Sequence, residues 1–330
     1  MKQQERTEAV LPPAEETITG RHHHYGEFYR LKHVNSPEDS AHLPRVAVVG
    51  NCQAESLRIL LDSSGAVSSY RIPPVHEWTA DDMRYVGATL AQTDVLISQP
   101  IRDNYRDLPS GTQQLTQLLP QDARVIKFPV LRFNGLNPAI AIVRSPQDPS
   151  LNPPVVPYHD LTLIAEVAGI EKTRPVDYLA CAQQSIRQLA SREDAHGCVR
   201  ISDVLAHNPV WHILNHPDNS TLTTLAQRVL KAIDPQISDA AVSAVGADHE
   251  LLGNLQSPID PHAAAFFEIN ERRDQWTLNG EVIPEDKIRT EQLAFYKKHP
   301  EIIDAALTRH RALLSYLGYD VPALPQESNK

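Results

Sequence analysis

The sequence predicts an α/β fold: a parallel sheet with helices on both faces, followed by a largely helical C-terminal half. Three observations carry that prediction. Short β-branched apolar runs recur at 45–50, 93–100 and 123–130 with helical stretches between them, the pattern of right-handed crossover connections. The first run stops at Gly50 and passes at once into a helical segment. Beyond residue 160 the strong periodicities are helical, with apolar residues at i, i+3, i+4 and i+7.

Taken in order, residues 1–44 read as a flexible N-terminal arm. Pro12-Pro13 interrupts it, periodic apolar positions are few, and His22-His23-His24 are adjacent. Three consecutive histidines do not converge on one side of a helix, so they predict a solvated segment rather than a metal site. "RVAVVG" (45–50) reads as a buried parallel strand, and "NCQAESLRILL" as a helix with Leu57, Leu60 and Leu61 on one face. "SSYRIP" (68–73) is a weaker strand candidate, "TDVLISQP" (93–100) and "ARVIKFPV" (123–130) stronger ones. One domain is expected over 45–315, its sheet core at about 45–160 and its helical part at about 161–315. The predicted helices lie in "DLTLIAEVAGI", "VDYLACAQQSIRQLASRE" and "TLTTLAQRVLKAI", then in a pair joined at His299-Pro300. Residues 316–330 read as a fraying tail.

Composition excludes several classes. Of 330 residues, 41% are hydrophobic and 22% charged, which supports a sizeable core and excludes a disordered polymer. The net charge of −10, from 31 basic and 41 acidic residues, repels nucleic acid and anionic lipid. An anionic ligand therefore needs a local basic pocket. Cys52, Cys181 and Cys198 make neither a disulfide framework nor a zinc quartet, which points to a reducing cytoplasm. The first thirty residues lack the apolar core of a signal peptide, and no apolar run reaches the roughly 18 residues of a bilayer span. A cytoplasmic protein without membrane insertion is expected. Walker A, G-x-G-x-x-G and HExxH motifs are missing, so no nucleotide triphosphate, dinucleotide or metal is expected.

Ligands of open parallel sheets bind beyond the carboxyl ends of the strands. Those ends carry Gly50-Asn51-Cys52-Gln53, Ser98-Gln99-Pro100 and Lys127-Phe128-Pro129. Cys52 falls where free amides and the helix dipole favour an anion, which predicts a lowered thiol pKa and a nucleophile. The same turn carries the serine of hydrolytic α/β folds. A small buried hydrophobe is the competing reading. Asn51 and Gln53 flank Cys52 with side-chain amides. Histidine candidates are His216, in the Asn215–Asn219 run before a strong helix, and His159, in Tyr158-His159-Asp160. Each also reads as an ordinary loop residue. Arg58, Arg102, Lys127, Arg132 and Arg144 lie near the strand ends, and Arg132 shares with Asn134 a loop that reads as site-lining, "FPVLRFNGLNP".

"VAVVGNCQAESLRILL", "TDVLISQPI", "IKFPVLRFNGLNP", "YHD" and "WHILNHPDNSTLTTLAQRVL" resemble, in that order, the WcbI-type polysaccharide biosynthesis proteins. The resemblance runs from about residue 45 to 315. It implies a flavodoxin- or SGNH-like sheet, a role in bacterial capsule or surface polysaccharide assembly, and coenzyme A or acetyl-CoA as co-substrate. The implied reaction is acyl transfer to the hydroxyl of a sugar or polysaccharide acceptor. On that implication Cys52 or the acceptor hydroxyl is the nucleophile, and His216 is the base, with His159 as the alternative. Asn51, Gln53, Gln99, Asn134 and Asn215 would contact oxyanion and substrate, and Lys127, Arg132 and Arg58 the CoA phosphates. Cys52 and His216 are then expected to meet across one cleft. Two other readings are an SGNH-like esterase using Cys52 and a non-catalytic CoA- or glycan-binding module. All three leave room for a homo-oligomer.

Overall fold

A computed structural model describes residues 10–14, 17–31, 42–207, 209–242 and 249–322. Its strands are β1 (Arg45–Val49), β2 (Ser68–Tyr70), β3 (Val95–Ser98), β4 (Arg124–Lys127), β5 (Ile140–Ala141), β6 (His159–Asp160), β7 (Leu255–Gln256), β8 (Trp276–Leu278) and β9 (Glu281–Ile283). Its helices are α1 (Gly20–His24), α2 (Cys52–Ser63), α3 (Met83–Leu90), α4 (Thr112–Thr116), α5 (Leu161–Val167), α6 (Tyr178–His196) and α7 (Asn219–Ile233). They continue with α8 (Pro261–Phe266), α9 (Glu285–Lys298), α10 (Pro300–Arg309) and α11 (Arg311–Tyr316). The described residues divide into two units that interleave along the chain, the first from 1–130, 192–201 and 219–249, the second from 131–191, 202–218 and 250–330.

The first unit is built on a four-stranded parallel sheet in the order β2-β1-β3-β4. Its strongest runs are central: Val46–Val49 and Val95–Ser98 are buried throughout, as the unbroken apolar pattern requires of a sheet covered on both sides. "SSYRIP" supplies only three strand residues, at the edge, where pairing with one neighbour suffices. Ala47, Val49 and Leu96 pack into a cluster with Tyr85, Val86 and Leu90 of α3 and Leu115 of α4. Alternation along the pleat turns Val46 and Val48 the other way. α2 packs on β1 and on α7, whose Leu222, Leu225, Ala226, Val229 and Leu230 form one buried stripe. The chain leaves β1 for β2 on one side and returns to β3 on the other. The β1/β3 boundary is therefore the switch point of the sheet.

Residues 19–31 depart from the predicted solvated arm. α1 leads into Phe28 and Tyr29, each 1% exposed, which join the Tyr85–Trp78 cluster. The Tyr29 hydroxyl donates to Asp82 Oδ1 at 2.7 Å, and Arg21 donates to both Asp82 oxygens and to the Glu77 carbonyl. The histidine run is partly engaged too, since His22 Nδ1 lies 2.8 Å from the Thr19 hydroxyl. Periodicity missed this segment because two adjacent aromatic anchors, not an amphipathic stripe, hold it. The remainder of the predicted arm, at 1–9, 15–16 and 32–41, and the end of the predicted tail, at 323–330, lie outside the described residues.

In the second unit, α5 packs against α9 and α10 around Leu161, Ile164, Tyr296, Ile302 and Leu314. The predicted helical pair becomes three helices, because the chain bends at His310 between α10 and α11. β5 pairs with β6, and β7, β8 and β9 form an antiparallel sheet. These strands are two or three residues long, too short to display an alternating pattern. No helix among the described residues is long and apolar enough to cross a membrane.

Candidate active site

The site in the first unit begins with the β1–α2 turn. Asn51 caps α2, its Oδ1 accepting from the Gln53 amide at 2.9 Å, which leaves Cys52 as the first helical residue. The Asn51 amide donates to Gln99 Oε1 at 3.0 Å, and Gln99 Nε2 donates to Gln53 Oε1 at 3.0 Å. Gln53 and Gln99 are 0% and 3% exposed. Asn51, Gln53 and Gln99 thus close a buried ring of hydrogen bonds that ties the end of β1 to the end of β3. Each such bond stabilises by about 1 kcal/mol, and a broken buried one costs more. Gly50 is required by this approach, since a Cβ there would lie 2.7 Å from Gln99 Oε1.

Cys52 is half-buried, and the backbone amides of Cys52 and Gln53 act electrostatically on its thiol. Those amides pull the thiol pKa down, but burial outweighs them and the net shift is upward. This corrects the expectation of a lowered pKa: in the free protein Cys52 is a neutral thiol held among oxyanion-type donors. Asn51 Nδ2 has no hydrogen-bond partner among the described residues.

Lys127 ends β4, paired with Ser98, and among the described residues its Nζ donates only to the His196 carbonyl, at 3.1 Å. It remains a cation at the carboxyl edge. Arg58 does not. Its guanidinium is bound by Glu55 at 2.7 and 2.9 Å, by Asp62 at 2.6 Å and by Ser69 at 3.2 Å, so its donors are used inside the fold rather than turned to an anionic ligand.

The other predicted residues belong to the second unit. His159 is 1% exposed, with its ring stacked on Tyr296 at 5.7 Å and near Phe295 at 6.2 Å. Burial, with Arg144 and His310, pulls its pKa down to about 4. This is a core imidazole inside an aromatic cluster, which removes it as the alternative base. Asn134 is engaged inside the second unit: its backbone amide donates to Ser185 Oγ of α6 at 3.2 Å and its Nδ2 to the Pro138 carbonyl at 3.5 Å. Arg132 follows Leu131 in the same loop, and its guanidinium lowers the pKa of His310.

His216 closes a tight turn in which its carbonyl accepts from the His212 amide and its own amide donates to the Ile213 carbonyl, both at 2.9 Å. Burial first, then His212, pulls its ring down to about 4, so the imidazole is neutral at physiological pH. Asn215 Oδ1 accepts from the Tyr158 hydroxyl at 2.7 Å, which fixes the turn rather than the imidazole. The Phe133 amide donates to the Leu214 carbonyl at 2.7 Å, bringing the loop of Asn134 onto the His216 turn. Sequence reasoning missed His212, whose Nε2 lies 3.1 Å from Glu250 Oε2. The four-residue spacing of His212 and His216 in "WHILNH" was the available signal; the carboxylate lies 38 residues further on.

A family model for polysaccharide biosynthesis enzyme WcbI matches residues 45–237. A solved structure aligns with a TM-score of 0.70 at 17% identity, covering 83% of this chain and 98% of that one. It is described as WcbI, a novel polysaccharide biosynthesis enzyme, in native form without a disulfide bond between coenzyme A and one of its cysteines. At that identity the likeness is one of fold. No curated protein matches the chain.

Proposed function

We propose that this chain, which belongs to the WcbI family of polysaccharide biosynthesis enzymes, transfers an acyl group from acetyl-CoA to a hydroxyl of a capsule or surface glycan. The observation that carries the proposal is the hydrogen-bonded ring of Asn51, Gln53 and Gln99. It fixes the start of α2, with the Cys52 amide and the Asn51 side-chain amide, at the switch point of the sheet. The coenzyme A and cysteine in the description of the related structure agree with it. Lys127 offers a cation for the CoA phosphates. Use of acetyl-CoA and glycan precursors implies a cytoplasmic site of action, and the charge of −10 argues against a nucleic-acid partner.

In the proposed reaction the acceptor oxygen attacks the thioester carbonyl and gives up its proton to a general base, the role that the sequence assigns to His216. The tetrahedral oxyanion is held by the Cys52 amide at the start of α2 and Asn51 Nδ2. The carbon–sulfur bond then breaks and the CoA thiolate takes the proton back from that base. Because burial keeps Cys52 protonated, direct attack by the acceptor is favoured over an acyl-cysteine intermediate. Replacing His216 by Ala is expected to lower kcat about 10²–10⁴-fold. The ring, pulled down to about 4, predicts no inflection near 6.5 in the kcat/KM profile. Undiminished transfer by His216→Ala would remove the histidine from the scheme. Hydrolysis of simple acetyl esters without CoA, in place of transfer, would identify an SGNH-like esterase instead.

A further inference from the structure

The second unit holds an open cleft of about 570 Å³, in the size range of small-ligand sites, that the acyl-transfer scheme does not use. Its apolar wall is Leu179 and Ile186 of α6 with Phe266 at the end of α8. Leu179 and Phe266 are 48% and 43% exposed, two of the six large apolar side chains most open to solvent among the described residues. Its polar wall includes His207, Glu268 and Asn270, whose side chains have no hydrogen-bond or ion-pair partner among the described residues. No lysine or arginine is among the described residues that line it.

Glu268 breaks two local rules. It occupies the left-handed position just after α8, with φ of +56°, where its amide donates to Ala265 and the Ile269 amide to Ala264. Glycine is the residue suited to that position, and a carboxylate at a helix C-terminus faces the unfavourable end of the dipole. Local rules broken without compensation mark functional positions.

We infer that this cleft binds a pyranose unit of the glycan acceptor. The exposed Phe266 ring offers a platform for the apolar face of a sugar. Glu268, Asn270 and His207 offer the unsatisfied acceptors and donors that ring hydroxyls need. Phosphate-bearing ligands are disfavoured by a carboxylate without a neighbouring cation. A second protein copy is disfavoured too, since it would bury that carboxylate unpaired. The inference rests on the polysaccharide reading of the family but not on the acyl-transfer scheme.

The test is saturation-transfer NMR on the full chain with neutral and amino-sugar methyl pyranosides, disaccharides and a hydrolysate of the producing cell's surface polysaccharide. Transfer to at least one saccharide is expected. Phe266→Ala, which removes the apolar platform, and Glu268→Gly, which removes a charge-assisted contact, should each weaken it about tenfold or more. Glu268→Gly should at the same time raise the thermal midpoint, because glycine relieves the positive φ. That combination separates a ligand role from a structural one. The inference is overturned by no response to any saccharide or by unaltered binding in both variants. Acetyl transfer from acetyl-CoA is measured in parallel. Lost transfer with saccharide binding intact counts against the acyl-transfer reading and supports this one.

Discussion

Cys52 differs from the other cysteines in what faces its sulfur. Burial pushes Cys181 up to about 12 and Cys198 up to about 11, while Cys52 alone has two amides set against the same effect. Its net shift is still upward, so alkylation by iodoacetamide should accelerate only at alkaline pH, with an inflection above that of a free thiol. An inflection below neutrality would contradict the neutral-thiol account. The sequence located Cys52 at the strand-to-helix turn, and Asn51, Gln53 and Gln99 at the strand ends, because glycine, cap and apolar run are all local signals. It could not weigh burial against amide donors, since burial depends on the whole packed unit. Arg58 illustrates the same limit: Glu55 and Asp62 stand one helical turn away in the sequence, yet only the structure commits all three to one another.

At the level of elements, periodicity was a good guide where it had length. α2, α6 and α7 follow their apolar stripes, and β1, β3 and β4 fall within the predicted runs. Below that length it failed. α1 has five residues, and what docks it is the Phe28–Tyr29 pair with the Arg21–Asp82 link. Phe28→Ala is expected to destabilise the protein by about 3–5 kcal/mol, the usual cost of emptying a buried aromatic site. The urea midpoint reads it directly. A change below about 0.5 kcal/mol would mean that the segment is dispensable to the core.

For the molecule as a whole, three half- or fully buried histidines contribute to the response to acid. His159, His216 and His310 are each pulled down from 6.5 to about 4, first by burial. Between pH 6.5 and about 4 the unfolded chain binds protons that the folded chain does not, so stability is complete above 6.5 and falls as pH drops toward 4. Each residue contributes on the order of 2–3 kcal/mol to that loss. Denaturation midpoints between pH 7 and 4.5 should decline steadily, and His159→Phe should flatten the decline. A flat profile in the wild type would show these imidazoles to be solvated.

The family and the parallel sheet were legible in the whole sequence because its motifs sit at strand ends in a fixed order. The interleaving of the two units was not, since it depends on contacts among segments distant in the chain. The central claim is transfer of an acyl group from CoA to a glycan, and its most direct measurement follows the label of [1-¹⁴C]acetyl-CoA supplied with the polysaccharide hydrolysate. The account predicts label in the saccharide fraction, matched mole for mole by released CoA and reduced in His216→Ala. Label recovered as free acetate, or left in acetyl-CoA while the protein binds it, would contradict it.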